Sequence, residues 1–199
     1  FSDSSLSVLP GVLLLAFSAA PARGGEPQAP RTFTFDSTVQ ALVHEVAWEG
    51  ISEKIIRLET MGTRYKHHPN QVAAAETLLA YFRGLGLEAS WQTFTQESMS
   101  GGEEQAHNVV AVQPGVDRPD SVVIICAHYD SMSETPMTYA PGSDDNASGV
   151  AAVMTAAELL SEHEFAYTIR YVCFASEEYG AWGSQHFVTQ MQFADWHLY

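Results

Sequence analysis

Residues 121–130 read SVVIICAHYD, a mostly apolar run of strand length that ends in His128 and Asp130. Such an unbroken run indicates a β-strand that is buried on both faces, as in a largely parallel sheet. The pattern recurs at residues 168–180, TIRYVCFASEEYG, where a second apolar strand leads into Glu177 and Glu178. Ligands collect beyond the carboxyl ends of strands in open α/β sheets, so we expect both polar groups to line one crevice.

A third polar group lies between these strands, at residues 141–149, PGSDDNASG, ahead of a predicted helix over residues 147–160. Imidazole and carboxylate are common ligands of catalytic zinc, and two-metal sites are a recurrent hydrolytic device. Each group has an ordinary interpretation when taken alone. A histidine after a strand is usually a packing residue, Asp144 and Asp145 suit a helix N-terminus, and paired glutamates suit a solvated loop. Their joint order favours a metal site.

The three motifs together resemble a known family. His-x-Asp, then Pro-Gly-x-Asp-Asp-Asn-Ala-Ser-Gly, then Glu-Glu-x-Gly is similar to the co-catalytic dizinc aminopeptidases, and most similar to the bacterial leucyl aminopeptidases. The resemblance runs from about residue 39 to residue 191. It implies a zinc exopeptidase fold, namely an α/β, three-layer architecture with a mixed central β-sheet flanked by helices, of which the C-terminal part is missing here.

The resemblance also assigns roles to individual residues. It implies that His128, Asp145 and Glu178 bind zinc, with Asp145 bridging two Zn²⁺ ions in the full-length site. It implies that Glu177 is the general base and that Asp130 orients the imidazole of His128. Spacing supports the last role, because residues two apart on an extended strand end can point the same way. Asp144 is left outside the metal set, and the other histidines are read as surface or core residues without partners.

Two ligands of that family are not matched: an Asp at the end of the next strand and a later His. Asp195 and His197 are candidates by residue type, but they follow the preceding helix too closely to lie on a new strand end. We therefore expect that the sequence is a piece of a longer protein, cut at both ends. We also expect the full-length protein to be active and this piece alone to be inactive.

The remaining elements follow from periodicity and turn residues. Apolar spacing over residues 39–61 predicts two helices in series. The other predicted elements are a helix over residues 71–83 capped by Asn70, strands at 87–96 and 108–113, and a last helix over residues 179–192. The predicted domains are a signal peptide at residues 1–22 (truncated at its start), a linker at 23–36 and the N-terminal portion of a zinc peptidase domain at 37–199.

Composition limits the partners. Acidic residues outnumber basic ones 24 to 9, giving a net charge of -15, which disfavours binding to nucleic acid. Residues 6–20 form a short apolar run that ends in a small-x-small cleavage pattern at Ala22. We therefore expect a secreted or periplasmic protein, with no membrane anchor in the mature chain, acting as a monomer. Export would permit a disulfide between Cys126 and Cys173, although thiols in neighbouring strands are favoured.

The predicted activity is hydrolysis of N-terminal residues from peptides with a free N-terminus, using a metal-bridging water activated by Glu177. Two alternatives stay open. One is a glutaminyl cyclase-like transferase, which uses a single zinc on a related fold. The other is a non-catalytic binding domain that has kept this fold.

Overall fold

The computed structural model describes residues 36–193, which form five α-helices, four β-strands and one π-helical turn. The helices are α1 (Ser37–Glu45), α2 (Trp48–Glu59), α3 (Pro69–Gly84), α4 (Gly149–Leu160) and α5 (Trp182–Phe193); the strands are β1 (Glu88–Glu97), β2 (Glu103–Gln113), β3 (Arg118–His128) and β4 (Tyr167–Phe174); and the π-helical turn is Ser143–Ser148. The predicted signal peptide, nearly all of the linker, and Asp195 and His197 lie outside the described residues. None of the helices within residues 36–193 is long and apolar enough to cross a membrane.

The four strands form one mixed sheet in the order β1-β2-β4-β3. β1 and β2 make an antiparallel hairpin, β2 also runs antiparallel to β4, and β3 runs parallel to β4. His128 pairs with Phe174 at the end of the parallel ladder. The carboxyl ends of β3 and β4 therefore meet at one edge of the sheet, as the two apolar runs predict.

Alternation along the strands divides the core into two layers. Val109 and Cys173 point to the face that packs against α3 and α4, while Val110 and Val172 point to the face covered by Phe187 and Met191 of α5. Because β2 and β4 bury both of their faces in this central part, their residues read there as continuous apolar runs. The predicted α/β, three-layer class with a mixed central sheet is confirmed.

β3 differs from the prediction. A strand buried on both faces was expected, but Val123 is 45% exposed and most of β3 is only partly buried. Within residues 36–193, β3 pairs with β4 alone and so forms an edge of the sheet. Because a strand with one neighbouring strand has an open edge, its apolar side chains are less buried than its composition predicts.

Two helix boundaries also differ. Asn70 was expected to cap α3, but His68 does so, because its Nδ1 accepts the Asn70 backbone N–H at 3.1 Å. The Asn70 side chain donates instead to the carbonyl of Met61. α5 begins at Trp182 rather than at residue 179, since Ala181 has a left-handed φ of 59° that no helical residue adopts.

Cys126 and Cys173 are both thiols in the structure, as expected. They lie on neighbouring strands, where Cys126 pairs with Val172 and Cys173 with Ala127. Residues offset by one in register point to opposite faces of a sheet, so the two sulfur atoms face different layers of the core. This geometry excludes a disulfide between them without movement of the backbone.

Candidate metal centre

The fold brings three predicted ligands together at the carboxyl edge of the sheet. His128 is the last residue of β3, Glu178 lies in the turn after β4, and Asp145 lies in the π-helical turn before α4. One ligand atom from each lies within 4.8 Å of the other two, and His128 Nε2 is 3.0 Å from Asp145 Oδ1. Zinc bonds of about 2.0–2.2 Å place neighbouring ligand atoms about 3.3 Å apart in a tetrahedron. The three side chains therefore fit a zinc ion after small rotations.

Asp130 lies beneath this group and joins its two strands. Its carboxylate is 1% exposed and accepts the backbone N–H of Glu177 at 3.0 Å and of Glu178 at 3.2 Å. Its Oδ1 is also 3.5 Å from His128 Nδ1, and its carbonyl oxygen is 3.3 Å from the same nitrogen. These contacts hold the imidazole with Nε2 directed towards Asp145. Asp130 thus orients both the histidine and the turn that carries the glutamates.

Glu177 is close to the ligand group without belonging to it. Its Oε2 lies 3.8 Å from His128 Nε2, and its side chain is 45% exposed. Its neighbour Glu178 turns into the group instead, since consecutive residues at a strand end point in different directions. A carboxylate beside a metal, but not bound to it, is placed to take a proton from water.

The electrostatics of the group favour a cation. Burial lowers the pKa of His128, but Asp130, Glu177 and Asp145 outweigh burial and raise that pKa to about 9. Burial, together with the charges of Asp145 and Asp130, raises the pKa of Glu178 to about 7. The protons held at neutral pH thus offset an excess of negative charge. A divalent ion would replace them.

Arg64 is a functional residue that sequence reasoning missed. It is fully buried, and its guanidinium donates to the carbonyls of Tyr129 at 2.7 Å, Pro141 at 2.6 Å and Gly142 at 3.0 Å. Gly142 has a φ of 52°, and a Cβ there would lie 2.6 Å from the Asp145 carbonyl oxygen. Arg64 therefore connects the end of β3 to the turn that carries Asp145. No motif marks it, because an arginine between two helices usually reads as a surface residue.

The expectation that the other histidines lack partners is wrong for four of them. The contacts are His67 with Glu104, His68 with Asn70, His107 with Trp91, and His186 with Phe94. His67 also packs edge-on against Tyr65, in the segment that precedes α3. The signal that sequence reasoning could have used is the cluster of polar and aromatic residues at 64–68, which is unusual between two helices.

Residues 108–198 match the sequence profile of peptidase family M28. Among curated relatives, a "Probable zinc metalloprotease" of Pyrenophora teres f. teres is 29% identical over 191 residues, covering 83% of this chain and 37% of that protein. The expected resemblance to the zinc peptidases is thereby confirmed. The chain spans about 37% of the length of this relative.

Solved structures support the fold. The Legionella pneumophila LapA aminopeptidase matches with a TM-score of 0.66 and 21% identity, over 87% of this chain and 46% of that one. A Fimbriiglobus ruber glutaminyl cyclase matches with a TM-score of 0.62 and 23% identity, over 87% of this chain and 60% of that one.

Proposed function

We propose that the complete protein is a zinc-dependent aminopeptidase that removes N-terminal residues from peptides. The observation that carries the proposal is Glu177, a carboxylate beside a group of three zinc-type ligands but outside it. This arrangement supports a metal site with a separate base beside it, the combination that metal-assisted hydrolysis uses. A binding domain without catalysis would have no need of Glu177.

Each residue of the group has a separate role in the proposed reaction. His128, Asp145 and Glu178 would hold the ion, and Asp130 keeps the imidazole of His128 oriented. Zinc bound there would polarise the scissile carbonyl and acidify a water molecule. Glu177 would accept a proton from the attacking water and pass it to the leaving amine.

We also propose that the full site holds two zinc ions that share Asp145. A carboxylate has two oxygen atoms, so one Asp can contact both ions of a pair about 3.5–4 Å apart. Asp145 suits this role because its side chain is 73% exposed and projects into the crevice. Elemental analysis of the complete protein should then give two zinc ions per chain, whereas one ion per chain would contradict the bridging role.

A free amino terminus is the substrate feature that an aminopeptidase requires. The net charge of -15 favours the approach of a cationic ammonium group at long range. An N-acetylated peptide should therefore be cleaved much more slowly than the same peptide with a free amine. Equal rates for both peptides would argue against an aminopeptidase. We expect the protein to lie outside the cytoplasm, which fractionation of the source cells would test. We also expect it to act as a monomer.

Glutaminyl cyclisation is the second candidate. It is favoured by the compactness of the ligand group, because three ligand atoms within 4.8 Å can close on a single ion. The two reactions are separated by a peptide with N-terminal glutamine. A cyclase releases ammonia and leaves the chain length unchanged, whereas an aminopeptidase releases free glutamine.

The main test compares the complete protein with its Glu177→Gln variant. Glutamine keeps the size of the side chain but cannot accept the proton. We expect the variant to retain zinc and to lose at least about a hundredfold in kcat. Peptide hydrolysis that resists a chelator, or a variant with the wild-type rate, would refute the proposal.

A further inference from the structure

Lys66 is a lysine in an unusual environment. It is only 7% exposed, and its Nζ lies 3.9 Å from the centre of the Tyr179 ring and 4.4 Å from the centre of the Trp182 ring. Lysines are rarely buried unless their charge has a partner. Here the ammonium lies against two aromatic faces, which attract a cation strongly once it is removed from water. Three carboxylates, of which Glu104 acts most strongly, also attract it.

Both rings belong to the turn that presents the glutamate pair. Tyr179 directly follows Glu178, and Trp182 is the first residue of α5. Between them, Gly180 and Ala181 have left-handed φ values of 106° and 59°. Backbone N–H groups of Gly180 and Ala181 donate to the Glu177 carbonyl, and that of Trp182 donates to the Ser176 carbonyl, so the turn is closed on itself. Its shape is therefore fixed locally, and contacts from outside help to set where it lies against the rest of the ligand group.

The turn is held from two sides. On one side, Asp130 accepts the backbone N–H groups of Glu177 and Glu178. On the other side, the ammonium of Lys66 contacts both rings, and the neighbouring Tyr65 hydroxyl lies 3.0 Å from that of Tyr179. Removing either side would free Glu178 to move relative to the rest of the ligand group.

Gln96 links the same two segments through the hairpin. Its amide nitrogen donates to the Lys66 carbonyl at 3.4 Å, and its Oε1 accepts the Ser176 hydroxyl at 2.5 Å. Ser176 is fully buried and has a left-handed φ of 56°. The backbone of Lys66 and the start of the turn are therefore both fixed to the side chain of Gln96. The Lys66 ammonium then has to reach only from this fixed backbone to the two rings.

We propose that Lys66 is a positioning residue for the metal centre: by holding Tyr179 and Trp182, it sets the turn from which Glu178 reaches the ion. The inference rests on the proposed function, since it takes Glu178 to be a ligand. It assigns no contact between Lys66 and the substrate.

The test is the zinc affinity of the full chain, measured by competition with a chromophoric chelator, together with the visible spectrum after cobalt substitution. Lys66→Met removes the charge and keeps an unbranched side chain, whereas Lys66→Arg keeps a cation that can stack on the rings. Lys54→Met is the matched control, because Lys54 pairs with Glu158 on the α2–α4 side at 2.7 Å. Unfolding by urea without metal is measured in parallel.

We expect Lys66→Met to bind zinc about tenfold more weakly or worse and to change the cobalt spectrum. Lys66→Arg should stay within about threefold of the wild type, and Lys54→Met should match it. Wild-type affinity in a folded Lys66→Met chain would overturn this inference alone. A wild-type chain that binds no zinc would overturn the proposed function and this inference with it.

A second pair of variants applies even where Lys66→Met does not fold. Tyr179→Phe keeps the ring over the ammonium, and Tyr179→Leu removes it. The inference requires the leucine variant to lose zinc affinity and the phenylalanine variant to keep most of it. A leucine variant with wild-type affinity would overturn the inference.

Discussion

Replacing Arg64 by methionine tests how the Asp145 turn is held. The guanidinium of Arg64 donates four hydrogen bonds, to the carbonyls of Leu58, Tyr129, Pro141 and Gly142 at 2.6 to 3.0 Å. Methionine has a similar length and fills most of the space, but it donates nothing. The substitution therefore separates the hydrogen bonds from the packing of the side chain.

The magnitude follows from two opposing effects. Two of the four carbonyls, those of Leu58 and Gly142, keep a backbone donor, so each loses one of two hydrogen bonds at about 1 kcal/mol. The carbonyls of Tyr129 and Pro141 lose the donor that Arg64 supplies, at about 2 kcal/mol each, so the total cost is about 6 kcal/mol. Removal of the charge recovers part of this, because burial lowers the pKa of Arg64 to about 10, even though the charge of Asp130 opposes the change. That lowering corresponds to about 3 kcal/mol. The expected net loss is about 3 kcal/mol of unfolding free energy, a large part of the stability of a typical domain.

The assay is urea unfolding of the full chain, followed by far-UV circular dichroism. With a slope of about 2 kcal/mol per molar urea, the midpoint should fall by about 1.5 M or the chain should fail to fold. Arg64→Lys should recover only part of the loss, since an ammonium cannot reproduce the planar fork. Arg118→Met is the control, because Arg118 is 65% exposed and should change the stability by less than about 0.5 kcal/mol. A loss below about 1 kcal/mol for Arg64→Met would refute the reasoning.

Three further outcomes follow from the site and the core. Asp130→Asn should weaken zinc binding by about 10- to 100-fold in a chelator competition, and wild-type affinity would exclude its orienting role. Without metal, the unfolding free energy should fall as the pH rises from about 5 to 9. The pKa values of Glu178 (about 7) and His128 (about 9) are raised in the folded state, so the folded state binds these protons more tightly than the unfolded state and loses that advantage as they dissociate. A Glu178→Gln, His128→Gln chain should lose this slope, and an unchanged slope would contradict the assignment. Burial raises the pKa values of Cys126 and Cys173, so alkylation of Cys173 should be at least about a hundredfold slower in native buffer than in urea, and equal rates would contradict its burial.

The position of the predicted ligands at the carboxyl edge of the sheet was predictable, because each ligand directly follows a strand or precedes a helix in the sequence. Two apolar strands each end in candidate ligands, and parallel strands place such ends together, so His128 and Glu178 could be expected to meet. Asp145 could be placed by its position before a helix, although the non-helical conformation of its turn could not. The roles of these residues stay predictions until metal binding is measured.

The supporting contacts could not be predicted, because they join segments far apart in the chain. Arg64 meets Pro141 and Gly142 across more than 70 residues, and no local pattern encodes that contact. The same holds for Lys66, whose ammonium contacts two aromatic rings that lie far along the chain. Hydrophobic periodicity locates helices and strands, but it carries no information on which buried polar group satisfies which carbonyl. Positioning residues therefore emerge only from the fold.

The most direct test of the central claim is a crystal structure of the zinc-soaked complete protein with anomalous difference data collected at the zinc edge. We predict two anomalous peaks that share Asp145, with His128 Nε2 and a carboxylate oxygen of Glu178 among their ligands and Glu177 facing the ions but bound to neither. A map with no peak at these three side chains, or a peak held by other residues, would contradict the claim.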